Sequence, residues 1–134
     1  MLITRESDYA IRIMRSLATE EKLTVNEICE NEQIPFSFAY KILKKLQKEG
    51  LVLVLRGANG GYKIKKSPSE ITLLDVVKAI DEEVILNKCQ SKNYVCEYET
   101  HSGKDCTVHK ELCRLQKIMA AELSRYTLKE VIEG

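Results

Sequence analysis

The chain has 134 residues, of which 44% are hydrophobic and 31% are charged, with only six glycines and two prolines. This length and composition are typical of one globular domain with a core, and they exclude a disordered, collagen-like or low-complexity chain. No apolar run reaches the roughly 18 residues of a membrane span, and the first residues lack the apolar stretch of a secretory signal. We therefore expect a soluble, cytoplasmic protein with no membrane partner.

The net charge of the chain is only +1, but its middle segment is strongly basic. Residues 36–66 carry eight lysine or arginine side chains and one acidic side chain, for a local charge of +7. The flanking segments are acidic, at −3 over residues 1–35 and −4 over residues 67–100. Such a local excess favours a polyanion as partner, although a solvated lysine face has the same composition.

The opening segment has the pattern of two helices. Apolar residues recur at helical spacing over residues 7–20, and Ser7 is positioned to cap that helix. Thr24 and Glu27 form a capping box that begins a second, short helix. Cys29 lies beside an apolar residue of this second helix, and we expect it to be a small core residue.

A third helix is predicted from Pro35 or Phe36 to Lys48, and its two faces differ in chemistry. One face is apolar and is predicted to be buried, with Phe38, Ile42 and Leu46. On the other face lie the residues that we expect to contact DNA, namely Ser37, Tyr40, Lys41 and Lys44. A short helix, a tight turn and a helix with a basic outer face form the helix-turn-helix pattern, and such a helix fits a major groove about 12 Å wide.

A glycine-rich hairpin follows this helix. Strands are predicted at residues 51–55 and 62–66, and the turn between them contains Asn-Gly, a strong hairpin signal. A basic hairpin directly after a helix-turn-helix is a wing, which contacts the DNA backbone or places an arginine in the minor groove. The wing residues expected at DNA are Arg56, Asn59 and Gly60.

The second half of the chain contains a cysteine-rich segment between predicted helices. The pattern predicts a helix over residues 72–80, a polar segment without periodicity over residues 88–105, a long helix over residues 107–126 and a short helix over residues 127–133. The long helix carries an apolar stripe of Leu112, Leu115, Met119, Leu123 and Tyr126. We interpret this stripe as the seam of a homodimer, with packing against its own chain as the alternative.

The five cysteines are many for an intracellular chain, and their odd number excludes a fully paired disulfide framework in a monomer. Four of them and one histidine lie close together in sequence, at Cys89, Cys96, Cys106, His109 and Cys113. Thiolates select soft metals, and the gaps of six and nine residues are more open than those of zinc knuckles. The spacing is compatible with an iron–sulfur cluster, a thiol–disulfide switch, a zinc site or inert thiols.

Catalytic signatures are missing from the sequence. It contains no Walker motif, no G-x-S-x-G and no H-E-x-x-H. Its GANGG stretch lies inside a hairpin and not between a strand and a helix, so a nucleotide site is not expected. We therefore do not expect an enzyme.

Five stretches spread over nearly the whole chain form a recognisable set: ESDYAIR (6–12), IPFSFAYKILKKLQKEGLV (34–52), RGANGGY (56–62), ITLLDVVKAI (71–80) and CTVH (106–109). Together they are similar to the Rrf-type regulators, which include the IscR, NsrR and CymR types. The resemblance implies a dimeric bacterial transcription factor that binds palindromic double-stranded DNA. The predicted fold is mainly α, a winged helix-turn-helix with a small β-hairpin wing and a long dimerisation helix.

We divide the chain into a winged helix-turn-helix region (1–66), a connecting helix with a cysteine loop (67–106) and a dimerisation helix with a short final helix (107–134). In the cluster-binding relatives, three loop cysteines and one further residue hold a 2Fe–2S or 4Fe–4S cluster, and the three that match here are Cys89, Cys96 and Cys106. The fourth ligand corresponds to His109 in the IscR-like pattern and to Asp8 in the NsrR-like pattern.

We favour His109 as the fourth ligand, because Asp8 is better explained as a capping or pairing residue at the start of its helix. Cys113 is a further candidate. The longer gap before Cys106, the extra thiol of Cys113, and Tyr40 in place of a glutamate depart from the IscR-like pattern. The leading hypothesis is a repressor controlled by an iron–sulfur cluster, 2Fe–2S in preference to 4Fe–4S. The alternative is a cluster-free repressor of the CymR type, controlled by thiol redox chemistry or by a partner.

Overall fold

The computed structural model describes residues 3–134, and this part of the chain forms seven α-helices and one two-stranded sheet. The helices are α1 (Arg5–Thr19), α2 (Val25–Glu32), α3 (Phe36–Lys48), α4 (Leu73–Ile80), α5 (Glu97–Ser102), α6 (Thr107–Leu123) and α7 (Leu128–Glu133). The strands are β1 (Val52–Leu55) and β2 (Gly61–Ile64), and short 3₁₀ turns lie at Pro68–Glu70 and Lys88–Gln90. The predicted fold class, mainly α with a small hairpin, is confirmed.

The first four helices enclose the hydrophobic core. Their inward side chains are shielded from solvent and include Ile13, Met14, Leu17, Ile28, Ile42, Leu43, Leu46 and Val76. Each such side chain contributes about 1.5–3 kcal/mol by leaving water. Because α3 supplies three of them, the core sets the rotation of α3 about its own axis and leaves the opposite face at the surface.

The first helix begins earlier than the sequence pattern predicted. Its cap is Thr4, whose Oγ1 accepts a hydrogen bond from the Ser7 N–H at 3.1 Å. The Ser7 hydroxyl oxygen accepts in return from the Thr4 N–H at 2.8 Å, which makes a reciprocal capping box. The prediction that Ser7 caps this helix is therefore wrong. Ser7 lies within the first turn, and its buried hydroxyl is satisfied by Thr4.

The buried face of α3 differs by one position from the predicted one. Its buried side chains are Ala39, Ile42, Leu43 and Leu46. A stripe that includes both Ile42 and Leu43 is centred on Ala39, so Phe38 falls on its flank and is 42% exposed. The prediction of Phe38 as a core residue is wrong. Its ring instead packs edge-to-face against Tyr9 of α1, with centroids 5.7 Å apart and planes at 78°.

The wing is fixed to the helix-turn-helix by backbone contacts. The two strands pair antiparallel with Leu55 opposite Gly61, and each has four residues, one fewer than predicted. Tyr62 exchanges two backbone hydrogen bonds with Leu23, of 2.7 and 3.0 Å. Only glycine allows this approach at position 61, because an added Cβ would lie 2.8 Å from the Leu23 carbonyl oxygen. The wing therefore keeps a defined position beside α3.

The cysteine-rich segment, predicted to lack regular structure, contains the 3₁₀ turn at Lys88–Gln90 and helix α5. Asn87 caps the turn, with its side-chain oxygen accepting from the Lys88 N–H at 2.9 Å. Gly103 closes α5 in the left-handed conformation, with φ at 67°. The prediction is wrong at these positions because elements of three and six residues are too short to show a helical period.

The long helix α6 ends at Leu123, so Tyr126 lies beyond it and not on its apolar stripe as predicted. The chain then turns, and Thr127 caps α7. Leu128 is buried, and its N–H donates to the Ile71 carbonyl oxygen at 2.6 Å. The final helix therefore returns to the core of the winged helix. Among residues 3–134, none of the helices combines the length and apolar character that a bilayer crossing requires.

Candidate nucleic-acid interface and cysteine site

The face of α3 that points away from the core is polar and basic. It exposes the four residues that the sequence assigned to it, Ser37, Tyr40, Lys41 and Lys44. Lys45 lies on the flank of this face and pairs through its Nζ with Glu6 of α1 at 2.9 Å. The residues predicted to contact DNA are therefore gathered on one surface, while Lys45 is engaged in an ion pair between two helices.

Phe36 belongs to this surface and was missed by the sequence reasoning. Its ring is 53% exposed and stacks on that of Tyr40, with centroids 6.1 Å apart and planes within 6°. Lys44 places its Nζ 4.7 Å from the centre of the Tyr40 ring, which is a cation–π contact. The signal was present in the sequence, because residues four apart are neighbours on a helix.

The wing exposes Arg56 and Asn59, as predicted for residues near DNA. The Asn59 carbonyl oxygen accepts a hydrogen bond from the Nζ of Lys22, a contact that the sequence did not indicate. Gly60 is half-buried, and an added Cβ would lie 2.4 Å from the Leu55 carbonyl oxygen. The geometry thus gives Gly60 a role in closing the turn, which holds Arg56 and Asn59 at the tip of the wing.

His109 lies at the centre of the cysteine site. Its Nδ1 lies 3.4 Å from the Sγ of Cys89, and its Nε2 lies 3.4 Å from the Sγ of Cys113. Its backbone N–H donates to the Sγ of Cys106 at 3.4 Å, since Cys106 is the cap residue of α6. Three thiols therefore contact one histidine, two from the first turns of α6 and one, that of Cys89, from 20 positions earlier in the chain.

Cys96 joins this group through a pocket of about 250 Å³, which Cys96, Cys89 and His109 line together. The start of α6 is tied to α5, because Glu99 Oε1 accepts from the backbone N–H of Cys106 at 3.1 Å. The cysteines in the described residues are all free thiols. Within residues 3–134, no three cysteine, histidine or carboxylate side chains lie close enough together to hold a single metal ion.

Two glutamines fasten the cysteine loop to α6. Gln90 donates from Nε2 to the Leu112 carbonyl oxygen at 3.1 Å. Gln116 donates from Nε2 to the Val84 carbonyl oxygen at 2.5 Å. These contacts couple the position of the loop to that of the helix. No sequence pattern indicated them, since a glutamine shows no preference for a partner 22 or 32 residues away.

Asp8 and Cys29 have local roles. Asp8 accepts a hydrogen bond from the Nε of Arg12 at 3.0 Å, one turn further along α1, which is the kind of pairing that the sequence predicted. Cys29 packs against the core from α2, as expected. Burial raises the pKa of the Cys29 thiol. Because the thiolate is the reactive form, this shift disfavours the reactive form of Cys29.

The apolar stripe of α6 is at the surface of the single chain. No residue of α6, which lies wholly within the described part of the chain, is buried. Leu115, Ile118 and Met119 are exposed, whereas Leu112 and Leu123 are half-buried. Ile118 thus extends the predicted stripe. Contiguous apolar surface of this kind is characteristic of an interaction site.

Residues 3–134 match the family described as "Rrf2: Iron-dependent Transcriptional regulator". The chain belongs to the Rrf2 family. The resemblance inferred from the sequence is thereby confirmed, together with the assignment to DNA-binding regulators of transcription. The family is described as one of transcriptional regulators.

Individual relatives of this Rrf2 protein agree with the family. It is 31% identical to the HTH-type transcriptional regulator IscR of Serratia proteamaculans, over 100% of this chain and 80% of that protein. It is also 31% identical to Protein aau3 of Rhizobium meliloti, over 100% of this chain and 86% of that protein.

Two solved structures share its fold. CymR, the global cysteine regulator of B. subtilis, has a TM-score of 0.77 at 23% identity and covers 98% of this chain and 95% of its own. IscR of T. potens has a TM-score of 0.74 at 21% identity and covers 98% of this chain and 85% of its own. The likeness extends over almost the whole chain, so helices α6 and α7 are part of the shared fold.

Proposed function

We propose that this Rrf2-family protein is a dimeric, cytoplasmic transcriptional repressor that binds a palindromic DNA operator and whose affinity depends on an iron–sulfur cluster. The cluster is 2Fe–2S in preference to 4Fe–4S. Its ligands are Cys89, Cys96, Cys106 and His109. The description of the family as iron-dependent supports an iron cofactor.

The main support for this proposal is that the cysteines of the loop lie around His109. Cys89 and Cys96 line one pocket with His109, and Cys106 contacts His109 at the start of α6. Thiolates together with imidazole are ligand types of iron–sulfur clusters. The chemistry of this donor set therefore fits such a cluster.

The residues around the loop can transmit a change there to the DNA interface. A bound iron–sulfur cluster supplies a redox-active cross-link between its protein ligands. Gln90 and Gln116 fasten the loop to α6, and α6 carries the apolar stripe that we assign to the dimer. A shift of the loop therefore alters how two copies of α6 pack and how far apart the two copies of α3 lie. A coupling of about 1–3 kcal/mol changes affinity 5- to 150-fold.

A two-fold dimer suits the proposed DNA target. It presents two copies of α3 to successive major grooves, roughly 34–36 Å apart. Lys41, Lys44 and Arg56 are exposed cations that can neutralise phosphates. Ser37 and Tyr40 lie nearer the N-terminal end of α3, which is the end that contacts base edges in helix-turn-helix proteins.

Purification without oxygen tests the cluster directly. We expect a coloured protein with stoichiometric iron and sulfide. Substitution of Cys89, Cys96 or Cys106 by alanine should abolish the visible absorption, because each removes one ligand. Cys29→Ala is the matched control, since Cys29 packs against the core in α2, and it should leave the absorption unchanged.

DNA binding is then compared between cluster-loaded and cluster-free protein on the same DNA. A difference in affinity supports control by the cluster. A colourless protein that binds DNA normally would contradict the proposal and support the cluster-free alternative of the CymR type.

A further inference from the structure

The N-terminal turn of α3 carries an aromatic pair that the core does not use. Phe36 and Tyr40 are 53% and 44% exposed, and their rings are stacked in nearly parallel planes. Phe38, which lies between them in sequence, is engaged differently, because its ring packs edge-to-face with that of Tyr9. The flat apolar surface of Phe36 and Tyr40 therefore belongs to the outer face of α3 and not to its packing face.

The two rings are held in place before any ligand binds. Stacking against Tyr40 limits the rotamers of Phe36, and the Nζ of Lys44 lies 4.7 Å from the centre of the Tyr40 ring. The first turn of α3 thus presents the apolar ring of Phe36, and the cationic group of Lys44 follows two turns later. A preorganised contact surface loses less conformational entropy on binding than a mobile one.

The surroundings of this pair select the class of partner. Ser37, Lys41 and Lys44 are exposed on the same helix, and the pair lies within the segment of net charge +7. A positive field of this kind attracts DNA, and the N-terminal end of a recognition helix is the part that approaches base edges. The aromatic surface is therefore positioned to meet bases.

Phe36 can recognise only one feature of a base pair. Its side chain has no hydrogen-bond donor or acceptor, so it cannot read the polar pattern of the major groove. The 5-methyl group of thymine is the apolar feature exposed there, and phenylalanine is among the side chains that contact it. Tyr40 stacks on the ring of Phe36, and its hydroxyl can still form a hydrogen bond.

We infer that Phe36, held by Tyr40, is a specificity-determining residue that recognises the methyl group of a thymine in each half of the operator. The inference rests on the DNA binding assigned to α3 and is independent of the iron–sulfur cluster. It extends the predicted DNA-contacting set to a residue whose chemistry is purely apolar.

The test replaces thymine by deoxyuridine, which removes the 5-methyl group and leaves every hydrogen-bonding edge unchanged. A preferred duplex is first selected from random DNA with the wild-type protein, in whichever cluster state binds more tightly. Deoxyuridine is then placed singly at each thymine of one half-site. At one of these positions, deoxyuridine should weaken binding about fourfold. This factor corresponds to the free energy of burying one methyl-sized group.

Phe36→Ala should bind the thymine and deoxyuridine duplexes equally. Gln47→Ala, an exposed substitution near the other end of α3, is the matched control and should keep the fourfold discrimination. Discrimination that persists in Phe36→Ala, or a wild-type protein indifferent to deoxyuridine at every position, would overturn the inference. Failure of the wild type to bind any DNA would overturn the proposed function as well, so the two failures are distinguishable.

Discussion

His109 and Cys113 lie one turn apart on α6, with the Sγ of Cys113 3.4 Å from the Nε2 of His109. The other ring nitrogen, Nδ1, faces Cys89 and the pocket. A hydrogen bond to one nitrogen of an imidazole determines which nitrogen is left for a metal and how the ring is oriented. We propose on this basis that His109 is a ligand and that Cys113 positions its ring.

The first prediction concerns the fourth ligand. His109→Cys should keep the cluster but lower its reduction potential, because imidazole ligands raise the potential relative to thiolate. Cys113→Ala should keep the cluster and change its potential, since the ring of His109 loses its partner. Potentiometry with visible absorption provides the measurement. The assignment fails if His109→Ala leaves spectrum and potential unchanged while Asp8→Ala or Cys113→Ala bleaches the protein.

The second prediction separates two neighbouring lysines of α3. Lys44 is exposed, whereas Lys45 pairs with Glu6. If Lys44 neutralises one phosphate, Lys44→Ala should reduce the slope of log affinity against log salt by about one unit, to a similar extent on all sequences. Lys45→Ala should leave that slope nearly unchanged and act mainly on stability. Titrations at several salt concentrations measure both, and equal slopes for Lys44→Ala and the wild type would contradict the assignment.

The third prediction concerns the homodimer. Leu115 and Met119 are exposed in the single chain, and each would contribute about 1.5–3 kcal/mol if a partner buried it. Leu115→Glu should therefore convert the dimer to a monomer at micromolar concentration. Lys117→Glu, at an exposed position of the same helix, adds the same side chain and should leave the dimer intact. Sedimentation measures the state, and a stable wild-type monomer would refute the assignment.

The fourth prediction concerns acid stability. Glu32 is almost fully buried, with 6% of its side chain exposed, and accepts hydrogen bonds from Arg15 and from the Ser16 hydroxyl at 2.7 Å. Burial alone would raise the pKa of Glu32, but the hydrogen bonds from Arg15 and Ser16 outweigh it and hold that pKa below its ordinary value. This stabilisation is present above the unfolded-state pKa of about 4.3 and is lost as the pH falls through the lower folded-state pKa.

Glu32→Gln should lower the melting temperature at pH 7 by roughly 3–5 °C, for a loss of about 1 kcal/mol in a domain of this size. The difference from the wild type should shrink as the pH falls below about 4.3, where the carboxylate of the unfolded state becomes protonated, and should vanish below the lower folded-state pKa. Glu30→Gln, at an exposed position of the same helix, is the control and should have little effect. A difference in melting temperature that is independent of pH would show that the charge of Glu32 contributes nothing to stability.

Local patterns in the sequence were sufficient to predict the order of the elements and the chemistry of their surfaces. The capping box of Thr72 and Asp75 and the Asn-Gly turn are local signals, as is the basic face of α3. Such signals act between residues a few positions apart, so they can be read before the chain folds. Local signals also misled at the first helix, where the sequence pointed to Ser7 as the cap and the folded helix uses Thr4.

Contacts between distant residues became visible only in the folded chain. Cys89 reaches His109, 20 positions later, because Gln90 and Gln116 fasten the loop to α6. Phe38 lies outside the core because Leu43 shares the buried face of α3 with Ile42. These outcomes depend on how helices pack against one another, and packing is a property of the assembled chain that local periodicity does not contain.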